Sequence, residues 1–149
     1  MVTIAFRHGD TLGDIGYEVL LHSLLSTVAV RLEGGEWGAR FPCIMLKLCR
    51  GRLDAADAAA ACAEWRDLQA GLAVLPPGQV VWDFNDLASR PPWGEAIGPR
   101  VTSMADYHVT TGGLPLLDVM GDCLAALSAS GGTLEIIPFD GLAPFYYVN

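Results

Sequence analysis

The chain has 149 residues, 52% of them hydrophobic and 17% charged, and its 9 basic and 17 acidic side chains leave a formal charge of −8. That balance excludes intrinsic disorder and favours one core-forming domain over residues 1–149. The carboxylate excess disfavours docking on nucleic-acid phosphates or anionic lipid; it serves either solubility alone or a basic protein partner.

In chain order, Val2–Phe6 reads as a first strand that Arg7-His8-Gly9-Asp10 turns back. A helix follows from about Tyr17 to Leu32, with Leu21, Leu24, Leu25, Val28 and Leu32 at helical spacing, and Glu33-Gly34-Gly35 ends it. Pro42 suits the first turn of a short helix through Leu48 and Cys49 that Gly51 closes. Asp54 reads as the N-cap of the longest helix, with Asp57 as a short capping-box partner and Ala58, Ala61, Cys62, Trp65, Leu68 and Leu72 as its apolar stripe.

Leu75-Pro76-Pro77-Gly78 stops that helix and leads into Val80-Val81-Trp82, whose residue types favour a buried strand. An acidic turn follows, and Pro91, Pro92 and Gly94 keep it from becoming helical. Glu95–Ser103 reads as loop and Tyr107–Thr110 as another short strand. Pro115 then opens a last helix carrying Leu117, Met120, Leu124 and Leu127, which Gly131-Gly132 ends. Thr133–Ile137 is a strand that Pro138 confines to an edge or terminates, and the aromatic tail from Phe139 to Asn149 is expected to pack back on the body. The expected product is an α+β fold, a small mixed β-sheet of about four strands with about four helices packed on it, three of them consecutive between the first two strands.

Chemistry is sparse in this inventory. Cys43, Cys49, Cys62 and Cys123 form no Cys-x-x-Cys pair and read as reduced thiols. No signal peptide and no apolar run of about 20 residues is expected, so the cytoplasm is the expected compartment and no membrane contact is implied. His8, His22 and His108 show no zinc spacing, no glycine pair has a phosphate-cradling context and no Gly-x-Ser-x-Gly elbow occurs. Neither a metal nor a cofactor is expected. Asp83 with Asp86, and Asp10 with Asp14, fit turns better than acid–base pairs, while Ser23, Ser26 and Thr27 read as hydroxyls back-bonded within a helix. No catalytic residue is assigned, and a binding protein fits better than an enzyme.

Several segments resemble the immunity 70 family, bacterial proteins encoded beside polymorphic toxins. The likeness is carried by His22-Ser23-Leu24-Leu25-Ser26-Thr27-Val28, Trp37-Gly38-Ala39-Arg40-Phe41-Pro42, Leu48-Cys49-Arg50-Gly51-Arg52-Leu53, Val81-Trp82-Asp83-Phe84-Asn85-Asp86-Leu87, Pro91-Pro92-Trp93-Gly94 and Tyr107-His108-Val109-Thr110-Thr111. The resemblance implies stoichiometric binding of a cognate toxin domain, with occlusion of its active site or substrate path. The acidic charge fits a nuclease toxin with a basic groove.

On that reading Asp83, Asp86 and Glu95 are the candidate partners for cationic side chains, and Trp93 and Tyr107 the candidate aromatic anchors. Trp37 and Trp82 read as residues that hold the fold, and Arg40 either touches the partner or pairs with an internal acid. The rival is a small enzyme or ligand-binding domain with a pocket near Trp93, His108 and Asp83. A subunit of a larger assembly is the third possibility.

Overall fold

The computed structural model describes residues 2–140 and the backbone of Tyr146–Tyr147. Two strands, β1 (Thr3–His8) and β2 (Thr11–Tyr17), form an antiparallel hairpin through Gly9. Alternation along β1 sends Ile4 and Phe6 into the main core and Ala5 to the opposite face, as period-two side chains require. β3 (Arg52–Asp54), β4 (Thr133–Pro138) and β5 (Tyr146–Tyr147) complete a five-stranded sheet of order β3-β4-β1-β2-β5. All neighbours are antiparallel except β2 and β5, so the sheet is mixed.

Helices α1 (Glu18–Leu32) and α3 (Leu116–Ser130) lie on one face of this sheet, and α2 (Ala58–Ala73) packs across them. A fourth helical piece, a π-helical turn over Cys43–Lys47 followed by a 3₁₀ turn over Leu48–Arg50, ends at Gly51 in the left-handed conformation (φ 112°). The α+β class, a small mixed sheet with helices packed on it, is that expected. Trp65 of α2 seats its indole against Gly121 of α3, where a Cβ would stand 2.6 Å from the ring, and its Nε1–H reaches the Leu117 carbonyl at 2.9 Å. The other sheet face carries a small cluster of Ala5, Leu12 and Phe139, with Ile137 beside it, and the Arg7–Glu135 pair at 3.1 Å.

Several local expectations are corrected. Thr11–Tyr17 and Arg52–Asp54 are strands, so the first two strands form a hairpin and no run of three helices separates them. Val80–Trp82 joins no sheet: Val80 is extended, Trp82 lies in a bend, and side-chain hydroxyls of α1 take the place of a neighbouring strand. Thr27 Oγ1 accepts the Val81 N–H at 2.9 Å and shares its own proton between the Ser23 and Val81 carbonyls, while Ser26 Oγ accepts the Phe84 N–H at 3.0 Å. These hydroxyls therefore do more than back-bond within their helix.

Tyr107–Thr110 likewise makes one bridge, Val109 to Pro115, outside the sheet. Asp54 does not cap α2: its carboxylate takes the Arg52 Nε–H at 3.1 Å, and the helix starts at Ala58 after a 3₁₀ turn. Most of the aromatic tail lies outside the described residues; within them, Phe139 is buried and Tyr146–Tyr147 pairs with Thr11–Leu12.

The Trp37–Pro42 segment is folded around a carboxylate. Glu33, buried at the end of α1, accepts the backbone N–H groups of Gly38, Arg40 and Phe41 at 3.0, 2.9 and 3.0 Å. Gly38 is obligatory there, with φ +85° and Leu46 Cγ only 2.5 Å from the position a Cβ would take. The Arg40 guanidinium lies 4.9 Å over the Phe41 ring, and the ion pairs among the described residues do not include it.

Replacing Glu33 by Gln keeps the shape but turns an amide NH2 toward at least one of the three donors, since Oε1 serves Gly38 and Oε2 serves Arg40 and Phe41. Leaving buried donors unmatched costs roughly 1–3 kcal/mol each where no water enters. Urea unfolding of E33Q is expected to show a loss of about 2–4 kcal/mol with an unchanged m-value; a loss below about 0.5 kcal/mol would show that the segment does not depend on the carboxylate.

Candidate partner-binding surface

Beyond the hydroxyl latch of α1, residues 83–109 run without helix or strand. Proline and glycine explain the absence of regular structure: Pro91, Pro92 and Pro99 lack a donor, and Gly94 turns with φ +60°. Turn chemistry holds the rest. Asp83 Oδ1 accepts the Asn85 N–H at 2.9 Å and Asp86 Oδ1 the Ala88 N–H at 3.3 Å. Asp106 accepts both N–H groups of Thr102 and Ser103, at 2.9 and 3.0 Å, and the Thr102 hydroxyl at 2.7 Å. The buried Met104 donates its N–H to the Leu75 carbonyl at 2.9 Å, tying the loop to the end of α2.

Trp93 sits at the centre of the exposed part. Its Nε1–H donates to the Tyr107 hydroxyl at 2.7 Å, and its rings meet Trp82 edge to face with centroids 5.3 Å apart. Although anchored, the side chain remains 40% exposed, and Leu87 (65%), Ile97 (39%) and Val109 (41%) are exposed in the same stretch. Isolated surface apolar residues are ordinary; here four large ones fall within one irregular segment. A groove of about 380 Å³ runs between Trp93, Ile97, Pro99, Val101, Tyr107 and Val109.

The candidate residues divide into three groups. Asp86, Trp93 and Glu95 are exposed and available to a partner. Tyr107 is only 6% exposed, so it reaches solvent through Trp93, which it braces. Asp83 is half-buried and accepts the His22 Nε2 at 2.9 Å, and that bond, with the Asn85 N–H, holds its carboxyl below the usual carboxylate range. His22 stacks on Trp37, which meets Phe84 edge to face and donates its Nε1–H to the Met45 carbonyl at 2.7 Å. Trp37 therefore holds the fold, as expected. Ile97 was signalled only as part of a loop, and the His22–Asp83 contact, 61 residues apart in sequence, had no local signal.

His108 does not open onto the Trp93 groove. It is buried, with Nε2 2.8 Å from Ser23 Oγ and no partner for Nδ1. Because the Ser23 hydroxyl donates to the Val81 carbonyl at 3.3 Å, the network assigns the proton to Nε2 and leaves only a lone pair unmatched. That tautomer cannot act as a base toward Ser23, no third group orients the ring, and both residues are closed from solvent. A pocket shared by Trp93, His108 and Asp83 does not form, since neither His108 nor Asp83 lines the groove beside Trp93. Among the described residues no three His, Cys, Asp or Glu side chains converge as a metal requires. The four cysteines are free, and burial pushes the thiols of Cys43 and Cys123 up to about 11 and about 12, so they stay protonated.

Burial pushes His108 down to about 3. The unfolded chain takes up a proton below about pH 6.5 that the folded chain refuses. This contribution to stability is full above pH 6.5 and is lost as pH falls toward 3. Between pH 7.5 and 5.0 the loss amounts to about 2 kcal/mol. Chemical denaturation of the wild type and of His108→Gln at both pH values is expected to differ by that amount in pH dependence; parallel profiles would show that His108 is hydrated in the folded state.

On the α+β frame, residues 83–109 form an irregular stretch with exposed aromatic, aliphatic and acidic side chains. By comparison with protein families, the chain belongs to the family described as Immunity protein 70, whose model matches residues 5–136. That membership supports an immunity role. Curated proteins and solved structures gave no match. No helix among the described residues is long and apolar enough to cross a membrane.

Proposed function

We propose that this protein neutralises a cognate bacterial toxin by stoichiometric binding in the cytoplasm, as a single domain that occludes the toxin's active site or substrate path without turnover. The observation that supports this reading most directly is the 83–109 surface, where four large apolar side chains stand exposed beside Asp86 and Glu95 on a loop latched to α1. A face that combines an aromatic anchor with a carboxylate rim matches the anatomy of protein interfaces. The net charge of −8 favours a toxin of opposite sign, such as a nuclease with a basic substrate groove, and speeds encounter with it.

Within this face Trp93, Asp86 and Glu95 are the direct contacts. Asp83 contributes at the rim through the oxygen that His22 leaves free, and Tyr107 contributes by fixing Trp93.

The deciding experiment is growth of bacteria that express the C-terminal toxin domain of the adjacent gene, with and without this protein. Rescue and a co-purifying one-to-one complex are expected. Failure of both, with the two proteins folded and expressed, would overturn the reading. Charge reversal at Asp86 and Glu95 together is expected to slow association roughly tenfold or more at low salt, with a smaller effect at high salt. Asp83 is left out of that double variant because its reversal breaks the His22 bond and tests folding as well.

A further inference from the structure

The binding face contains a preformed recess whose chemistry constrains what enters it. Resting on the immunity reading above, we infer that the groove between Trp93 and Val109 receives one bulky apolar side chain from a toxin loop whose flanking positions carry lysine or arginine. At about 380 Å³ the groove lies at the small end of the range for ligand pockets, suited to one or two side chains. Its lining is chiefly apolar, with Ile97 and Val109 exposed beside Trp93.

The groove is also set before any partner arrives. The Tyr107 hydroxyl fixes Trp93 at 2.7 Å, and the Ala96 and Val101 N–H groups close turns onto the Trp93 and Gly98 carbonyls at 3.1 Å each. Asp106 fixes the chain at Thr102 and Ser103. A preorganised recess loses little further order on binding, which is how interface hot spots gain affinity.

Charge selects the flanks of the incoming segment. Glu95 stands exposed within the loop that forms one wall. Asp106, next in sequence to Tyr107 of the other wall, adds a second carboxylate at that side, with Asp118 as a charged neighbour. Arg100 is the one cation lining the groove. A segment with positive flanks is therefore attracted, whereas a second copy of this chain would bring the same carboxylates face to face.

The test uses the full chain, immobilised, and a phage-displayed library of random linear peptides selected at low ionic strength. Enriched peptides are expected to carry one aromatic or long aliphatic residue with lysine or arginine on either side. They are expected to bind at least tenfold more weakly to the Ile97→Ser, Val109→Ser double variant and to Glu95→Lys, and to weaken with salt. Both variants change exposed positions, and circular dichroism verifies their fold. Selection of peptides without flanking bases, equal binding to the double variant, or no enrichment overturns the inference.

The growth assay separates this outcome from the immunity reading. Wild-type protection that survives unchanged in the double variant removes the groove and leaves immunity standing. No protection by the wild type removes immunity, while the peptide selection still decides whether the groove binds.

Discussion

Three hydroxyls on one helix govern how the second half of this protein is laid down. Ser23, Ser26 and Thr27 are fully buried on α1 and face the segment after α2, where they satisfy the Val81 N–H and carbonyl and the Phe84 N–H. Buried backbone groups must find partners, and the usual solution for an extended segment is a neighbouring strand. Here a helix supplies the partners from its side chains. The segment can then run across α1 instead of along the sheet, carrying Asp83 to His22 and Phe84 to Trp37. Ser23 also receives His108, so both ends of the irregular face converge on the same turn of helix.

A second carboxylate-centred arrangement supports the first. Glu33 gathers three N–H groups of the Trp37–Phe41 loop at the end of α1, and Glu64 of α2 accepts the N–H groups of Cys43 and Ile44 at 3.1 and 3.0 Å. Two acids thus order the connection that carries Trp37 under His22. Much of the chain's acidity is exposed, but these two carboxylates act inward as acceptors for backbone that no strand serves.

The parts of this architecture that were legible in sequence are those fixed by local rules. The three long helices follow from apolar spacing and from glycine and proline stops, and β1 and β4 from β-branched alternation. β2 was hidden because Gly13 and Gly16 interrupt the β-branched alternation that marks β1 and β4. The structure gives the reason for Gly13, where a Cβ would stand 3.1 Å from Cys123 Sγ and Val119 Cγ1 of α3, so the residue that erases the strand signal is the one that lets the helix approach. Val80–Trp82 misled in the opposite direction, since its residue types suit a strand and its partners lie more than 50 residues away on a helix. Asp86, Trp93 and Glu95 are exposed in a segment that its proline and glycine residues marked as turn and loop. The burial of Tyr107 and the engagement of Asp83 depend on contacts between distant segments, which no local pattern encodes.

The sheet order has a consequence for when the protein exists. β1 lies inside the sheet, flanked by β2 from the same hairpin and by β4, so that Ile4 pairs with Pro138 and His8 with Leu134. A ribosome that has released the hairpin has made a strand with one bare edge, and that edge stays open until residues 133–138 have been translated. Long-range closure of this kind is slow compared with helix formation. The core strand β1 is therefore completed only by β4, after all three long helices have been made.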